Sequence, residues 1–85
     1  MKQFDYTIRD ELGIHARPAG LLVKQAARFK STTKMKCGEK EADLKRLINV
    51  MTLAVKCGDT VTVTIDGEDE AEAAKELQAF FEANV

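Results

Sequence analysis

Thr60-Val61-Thr62-Val63-Thr64-Ile65-Asp66 is the stretch that decides the fold. Val61, Val63 and Ile65 alternate with Thr60, Thr62 and Thr64, the two-residue period of a strand with one apolar and one polar face. β-Branched side chains suit such a pleated, half-buried surface. Gly58-Asp59 gives a turn signal before it and Gly67 ends it. A strand wet on one face belongs to an antiparallel sheet whose other face is covered.

Outward from this strand the same alternation recurs twice. Phe4, Tyr6 and Ile8 alternate with Asp5 and Thr7, which predicts a strand near the N-terminus. Thr33, Met35 and Cys37 alternate with Lys34 and Lys36. Gly38 follows, and Lys40 to Ala42 is expected to return as the second arm of a hairpin. Between these strands the period lengthens. Ala19, Leu22, Val23, Ala26 and Phe29 form one stripe of a helix expected over 16–29, with Pro18 in its first turn, where a missing N–H costs nothing. Leu44, Leu47, Ile48 and Met51 predict a shorter helix over 44–53, with Asp43 as its N-cap. Ala73, Ala74, Leu77, Phe80 and Phe81 give a helix from Asp69 to about Ala83, and the acids Glu68, Asp69, Glu70 and Glu72 at its start suit the helix dipole. The order is β-α-β-β-α-β-α. The expected fold is α+β: an open-faced β-sandwich, a four-stranded antiparallel sheet with three helices on one face.

Composition narrows the function. Eighty-five residues predict one domain, spanning 1–85, with a compact core. Thirteen Lys and Arg against fourteen Asp and Glu give a net charge of −1, which excludes a generic electrostatic grip on nucleic acid or an anionic membrane. No apolar run approaches the roughly 18 residues of a bilayer span. No apolar signal region follows Met1, so the expected location is the cytoplasm. Cys37 and Cys57 form no Cys-x-x-Cys, and the chain has one His, so neither a disulfide scaffold nor a metal site is expected. The two cysteines are read as reduced thiols.

The chemistry concentrates in Gly13-Ile14-His15-Ala16-Arg17-Pro18-Ala19-Gly20, where the only His precedes a helix that begins with Arg and Pro. The free N–H groups and dipole of a helix start attract an anion. A guanidinium two residues on pairs with phosphate oxygens. A neutral imidazole keeps a lone pair and acts as a nucleophile. Gly13 and Gly20 limit crowding. These residues suit a phosphoryl group carried on His15. A lone loop His is also commonly an exposed or capping residue, and the tetrapeptide alone does not separate the two readings.

The segment Gly13 to Lys24 resembles the active-site region of the HPr family, the histidine-containing phosphocarriers of the bacterial phosphoenolpyruvate-dependent sugar phosphotransferase system. The likeness extends to Ala42-Asp43-Leu44-Lys45, to Val50-Met51-Thr52-Leu53 and to the run from Thr60 to Glu70, nearly the whole chain. The resemblance implies a phosphoryl carrier rather than an enzyme, needing no cofactor. It implies that enzyme I phosphorylates His15, on Nδ1 by family analogy, and that the group passes to the A domains of enzymes II. Arg17 would steady the phosphate, with Ala16 and Pro18 beside it. Ala16, Gly20, Lys24, Leu47, Ile48 and Met51 match the family's partner-binding face, Lys24 and Lys45 being candidates to steer acidic partners. Leu47 and Met51 fit a core position equally well. Transcriptional regulators are further candidate partners, and a monomer is expected. The alternative is a regulator of a dedicated, for example nitrogen-linked, branch that acts mainly by binding proteins.

Two departures from the family pattern matter. Arg46 stands where many members carry a serine that a regulatory kinase phosphorylates, so that regulation is expected to be absent. Asn49 and Ala54 stand where glycines are expected. Readings outside the family fare worse. A metal-carrying module would need Cys-x-x-Cys. An RNA-binding module would need strand aromatics and a basic face, whereas the pI is about 5.8. A small phosphatase would release phosphate, not retain it on protein.

Overall fold

A computed structural model describes residues 1–85. Its elements are β1 (Lys2–Thr7), α1 (Ala16–Ala27), β2 (Thr32–Cys37), β3 (Lys40–Asp43), α2 (Leu47–Thr52), β4 (Thr60–Asp66) and α3 (Glu70–Asn84). The strands form one antiparallel sheet in the order β1-β4-β2-β3. The stretch that opened the argument, β4, therefore sits inside the sheet, bonded on both edges. β1 and β2 run the same way with β4 between them, so the connection through α1 must cross over β4. That crossing lays α1 on the sheet.

The register explains the two faces. Phe4, Val63, Met35 and Ala42 stand in one row across all four strands and point under the helices. Val61, Val63, Ile65 and Met35 are fully buried. The opposite face is polar: Thr62 Oγ1 donates to Asp5 Oδ1 at 2.7 Å, the Thr7 and Thr60 hydroxyls meet at 2.9 Å, and Lys34 faces Glu41 at 3.8 Å. Phe81 of α3 is the largest fully buried side chain. It stacks on Tyr6 at 5.6 Å and meets Phe4 edge-on at 5.7 Å. Aromatic pairs at these separations add about 1 kcal/mol each beyond their buried area. Together these contacts seal the β1 edge of the core. The N-cap of α3, Asp69, accepts from the Lys30 and Ser31 amides and from the Ser31 hydroxyl. The Ser31 hydroxyl, then the Lys30 amide, hold its carboxyl below the ordinary range. That clamp ties the start of β2 to the start of α3. No helix is long and apolar enough to cross a membrane.

Several boundaries differ from the periodicity, each for a local reason. α1 ends at Ala27, and Phe29 is buried from the turn beyond it. β1 ends at Thr7, yet Ile8 stays in the core because its N–H donates to Asp59 O and its carbonyl accepts from Gly58. On α3, Ala73, Leu77 and Phe81 are buried, while Ala74 and Phe80 are only half-buried. The largest correction concerns α2. It begins at Leu47, not Leu44, and its N-cap is Arg46, not Asp43. Asp43 ends β3, and its Oδ1 accepts from the Lys45 amide at 2.9 Å. That Asx turn competes with helix formation. It drives Leu44 into the core as a turn residue, fully buried, so its apolarity fits the helical spacing without belonging to the helix.

α2 ends at Thr52 with Leu53 as its C-cap, and the next residue, Ala54, has φ +51°, the one non-glycine residue in the left-handed region. Its N–H donates to Met51 O at 3.1 Å, closing the helix end. An L side chain there costs about 1–2 kcal/mol, and glycine avoids most of that cost. Ala54→Gly should therefore stabilise the fold by about 0.5–1 kcal/mol after the extra chain entropy of glycine is deducted. For a domain of this size that raises Tm by about 4 °C, measurable by thermal denaturation. An unchanged or lower Tm would contradict the strain at this position.

Candidate functional site

The loop from Ile8 to His15 is held from two sides. Arg9 and Asp10 amides both donate to Val85 O at the end of α3, at 2.7 and 2.9 Å. Gly13 N donates to Asp10 O at 2.9 Å, and Leu12 N to Asp10 Oδ1 at 2.8 Å, which closes a tight turn. Ile14 N then donates to Val55 O at 3.1 Å, and the Ile14 side chain is buried. Gly13, with φ +66°, lies directly against the Val55–Lys56 backbone. The segment after α2 thus fixes where α1 begins.

His15 is the N-cap of α1, in extended conformation with φ −92° and ψ −173°. Its carbonyl accepts from Ala19 N at 3.0 Å. Its imidazole makes no capping bond, so the half-buried ring is not consumed by the helix it precedes. The Ala16 and Arg17 amides find no acceptor within the chain, and Pro18 has no N–H to offer. No acidic side chain occupies this first turn, so the positive end of the helix dipole is uncompensated. Arg17 is exposed and takes no part in any of the three ion pairs. Pro18 and Ala19 are buried and anchor the turn. A ring nitrogen, two free amide donors and an unpaired guanidinium therefore sit within three consecutive residues at one helix start. That arrangement accepts an anion.

α2 packs against α1. It presents Leu47, Ile48 and Met51 to solvent at 40%, 74% and 41% exposure, which decides their ambiguity against the core; Val50 alone is buried on this helix. Ala16 and Lys24 are exposed on α1. Gly20 is half-buried, and a Cβ there would meet nothing within 4 Å, so its lack of a side chain relieves no crowding inside the molecule. Gly13 does relieve crowding, towards the Val55–Lys56 backbone. Lys45 does not face outwards as expected: its Nζ donates to Phe29 O at 2.8 Å, capping the carbonyls past the end of α1. Leu21 was not singled out by the periodicity, yet it is 42% exposed on α1. The signal was available, because Leu21 falls off the buried Ala19, Leu22, Ala26 stripe.

No group of three or more His, Cys, Asp or Glu side chains is placed to hold a metal ion. Both cysteines are free thiols, Cys37 half-buried and Cys57 exposed. Burial, then the Asp59 carboxylate, pushes the Cys37 thiol up from its ordinary value.

The molecule is an open-faced α+β sandwich with its single His half-buried at the unsatisfied start of the first helix. Comparison with known proteins names the family. Residues 2–83 match the family model for the phosphotransferase-system HPr component phosphorylation site. The phosphocarrier protein HPr of Mycoplasma genitalium is 41% identical over 85 residues, covering 99% of this chain and 97% of that one. The phosphocarrier protein HPr of Lysinibacillus sphaericus is 46% identical over 77 residues, 91% of this chain and 88% of that one. A crystal structure of HPr from Thermoanaerobacter tengcongensis superposes with a TM-score of 0.93 at 35% identity, covering 98% and 93% of the two chains. The chain belongs to the HPr family of the phosphotransferase system.

Proposed function

We propose that this chain accepts a phosphoryl group from phospho-enzyme I on His15 and hands it to the A domains of enzymes II. The observation that carries the proposal is the imidazole left without a capping bond, next to the two unpaired amides of Ala16 and Arg17. In the transfer a ring nitrogen lone pair attacks phosphorus. The N–P bond forms as the donor's bond to phosphorus breaks, the electron pair of that bond leaves with the donor, and the proton on the other ring nitrogen passes to solvent water. By family analogy the attacking atom is Nδ1. The Ala16 and Arg17 amides and the Arg17 guanidinium meet the phosphate oxygens, with Pro18 fixing the turn that aims them. An exposed cation and a helix terminus hold the group without enclosing it. That suits a carrier, which must not bind its cargo too well to release it.

The test is incubation with phosphoenolpyruvate and enzyme I, followed by intact-mass measurement. One acid-labile phosphoryl adduct is expected. A chain that stays unmodified, or that carries an acid-stable phosphate, would refute the carrier reading. Arg17→Ala should slow transfer by about tenfold or more, the loss of one charge-assisted contact of about 1.5–3 kcal/mol. Its Tm should barely move, because the exposed guanidinium makes no ion pair within the chain. Unchanged stopped-flow transfer rates would remove Arg17 from the site.

A further inference from the structure

Charge is segregated in this fold although the net value is −1. All fourteen Asp and Glu lie outside residues 12–38 and 44–58, and nine of the thirteen Lys and Arg lie inside them. α1 and α2, packed on each other, carry no carboxylate, whereas α3 carries Glu70, Glu72, Glu76 and Glu82. Several cations are occupied within the chain: Lys34 by Glu41, Lys45 by the Phe29 carbonyl, Arg9 by the Tyr6 hydroxyl. Arg46 is not. It is exposed, its side chain caps nothing, and no ion pair includes it.

Nothing inside the molecule favours an arginine at this position. Arg46 is the N-cap of α2, where Ser, Thr, Asp or Asn would bond a free amide and where the helix dipole repels a cation. No acidic residue in the first turn of α2 compensates it. A local rule broken without internal compensation points outside the chain. What lies beside Arg46 is the exposed apolar set Leu47, Ile48 and Met51 on the face of α2. An apolar centre with a cation at its edge fits a protein surface with an apolar patch and a carboxylate at its rim.

We propose that Arg46 is a specificity-determining contact, meeting a carboxylate on an acidic partner protein that closes over Leu47, Ile48 and Met51. The proposal rests on the carrier reading for the identity of the partner used to test it. A charge at the rim of an interface acts mainly on the association rate and its salt dependence, and leaves the chemical step alone.

The test measures phosphorylation by catalytic enzyme I and phosphoenolpyruvate at low and high ionic strength. Arg46→Glu should raise KM for this chain about tenfold at low salt, leave kcat within about twofold, and converge on the parent at high salt, where screening removes the rim contact. Arg46→Ser should give a smaller rise of about threefold, and Arg46→Lys should restore most of it. Lys36→Glu, on the open face of the sheet away from the helices, changes net charge equally and should leave KM unchanged. KM values for Arg46→Glu equal to the parent at every salt concentration, or equal shifts for Arg46→Glu and Lys36→Glu, would overturn the assignment while the carrier reading stood. A parent chain that enzyme I does not phosphorylate would overturn both.

Discussion

His15→Ala should take up no detectable phosphoryl group from phosphoenolpyruvate and enzyme I, and should support no sugar phosphorylation in a reconstituted system. The loss is expected to be complete rather than partial, because the chain has no second imidazole to substitute for the first. Neighbouring hydroxyls are no replacement, since they lack a lone pair as nucleophilic at neutral pH. Folding should survive the change. The ring makes no capping bond, and the helix is held instead by buried Ala19, Leu22 and Ala26. A stability change within about 1 kcal/mol is expected, the scale of replacing an N-cap side chain. An acid-labile adduct persisting on a folded His15→Ala chain would place the acceptor elsewhere and end the assignment.

Gly13→Ala should be the most damaging single-methyl change near the site. Two costs combine there. The backbone at φ +66° disfavours any L side chain, and the added Cβ would collide with the Val55 carbonyl and stand 2.8 Å from Lys56 Cα. Backbone atoms cannot swing aside as a flexible side chain can. Left-handed strain of about 1–2 kcal/mol and overpacking of about 1–3 kcal/mol together predict a loss near 3 kcal/mol. In a domain of this size that lowers Tm by about 15 °C. Gly38→Ala separates the two costs. Gly38 has nearly the same φ, +63°, but no atom within 4 Å of where its Cβ would stand. It should lose only the backbone part, about 1–2 kcal/mol. Equal losses at the two positions would show that the contact with Val55 and Lys56 is unimportant. Because the same contact fixes Ile14 and hence the start of α1, a folded Gly13→Ala chain should also transfer phosphate more slowly.

The charge pattern connects the carrier reading with the Arg46 proposal. A net charge of −1 describes neither surface that matters. α1 carries Arg17 and Lys24, Arg46 precedes the exposed apolar side chains of α2, and neither helix has a carboxylate, whereas α3 carries four. Long-range steering depends on this distribution and not on the sum. Position 46, where the resemblance to the family leads one to expect a serine, is an arginine here. An arginine has no hydroxyl to esterify, so phosphorylation of the serine type is not expected at position 46.

Alternation over Thr60–Asp66, Thr32–Cys37 and the N-terminal residues, with helical spacing between them, determined the element order and the side of the sheet that the helices cover. A two-residue and a 3.6-residue period leave different marks in a linear sequence, so these features need no knowledge of distant contacts. The same linear reading located the one imidazole, the neighbouring arginine and the likeness to HPr. It could not tell a buried turn leucine from a helical one: Leu44 matched the spacing of α2, but the Asp43 Asx turn removed it from the helix. Nor could it tell which of two lysines was spoken for. Lys45 found the Phe29 carbonyl sixteen residues away, and Lys24 found nothing. The tertiary structure alone decided that Leu47, Ile48 and Met51 face solvent, and that the Val55 carbonyl holds the start of α1. Such outcomes turn on which segments meet across the fold, and a chain's own periodicity carries no record of its neighbours.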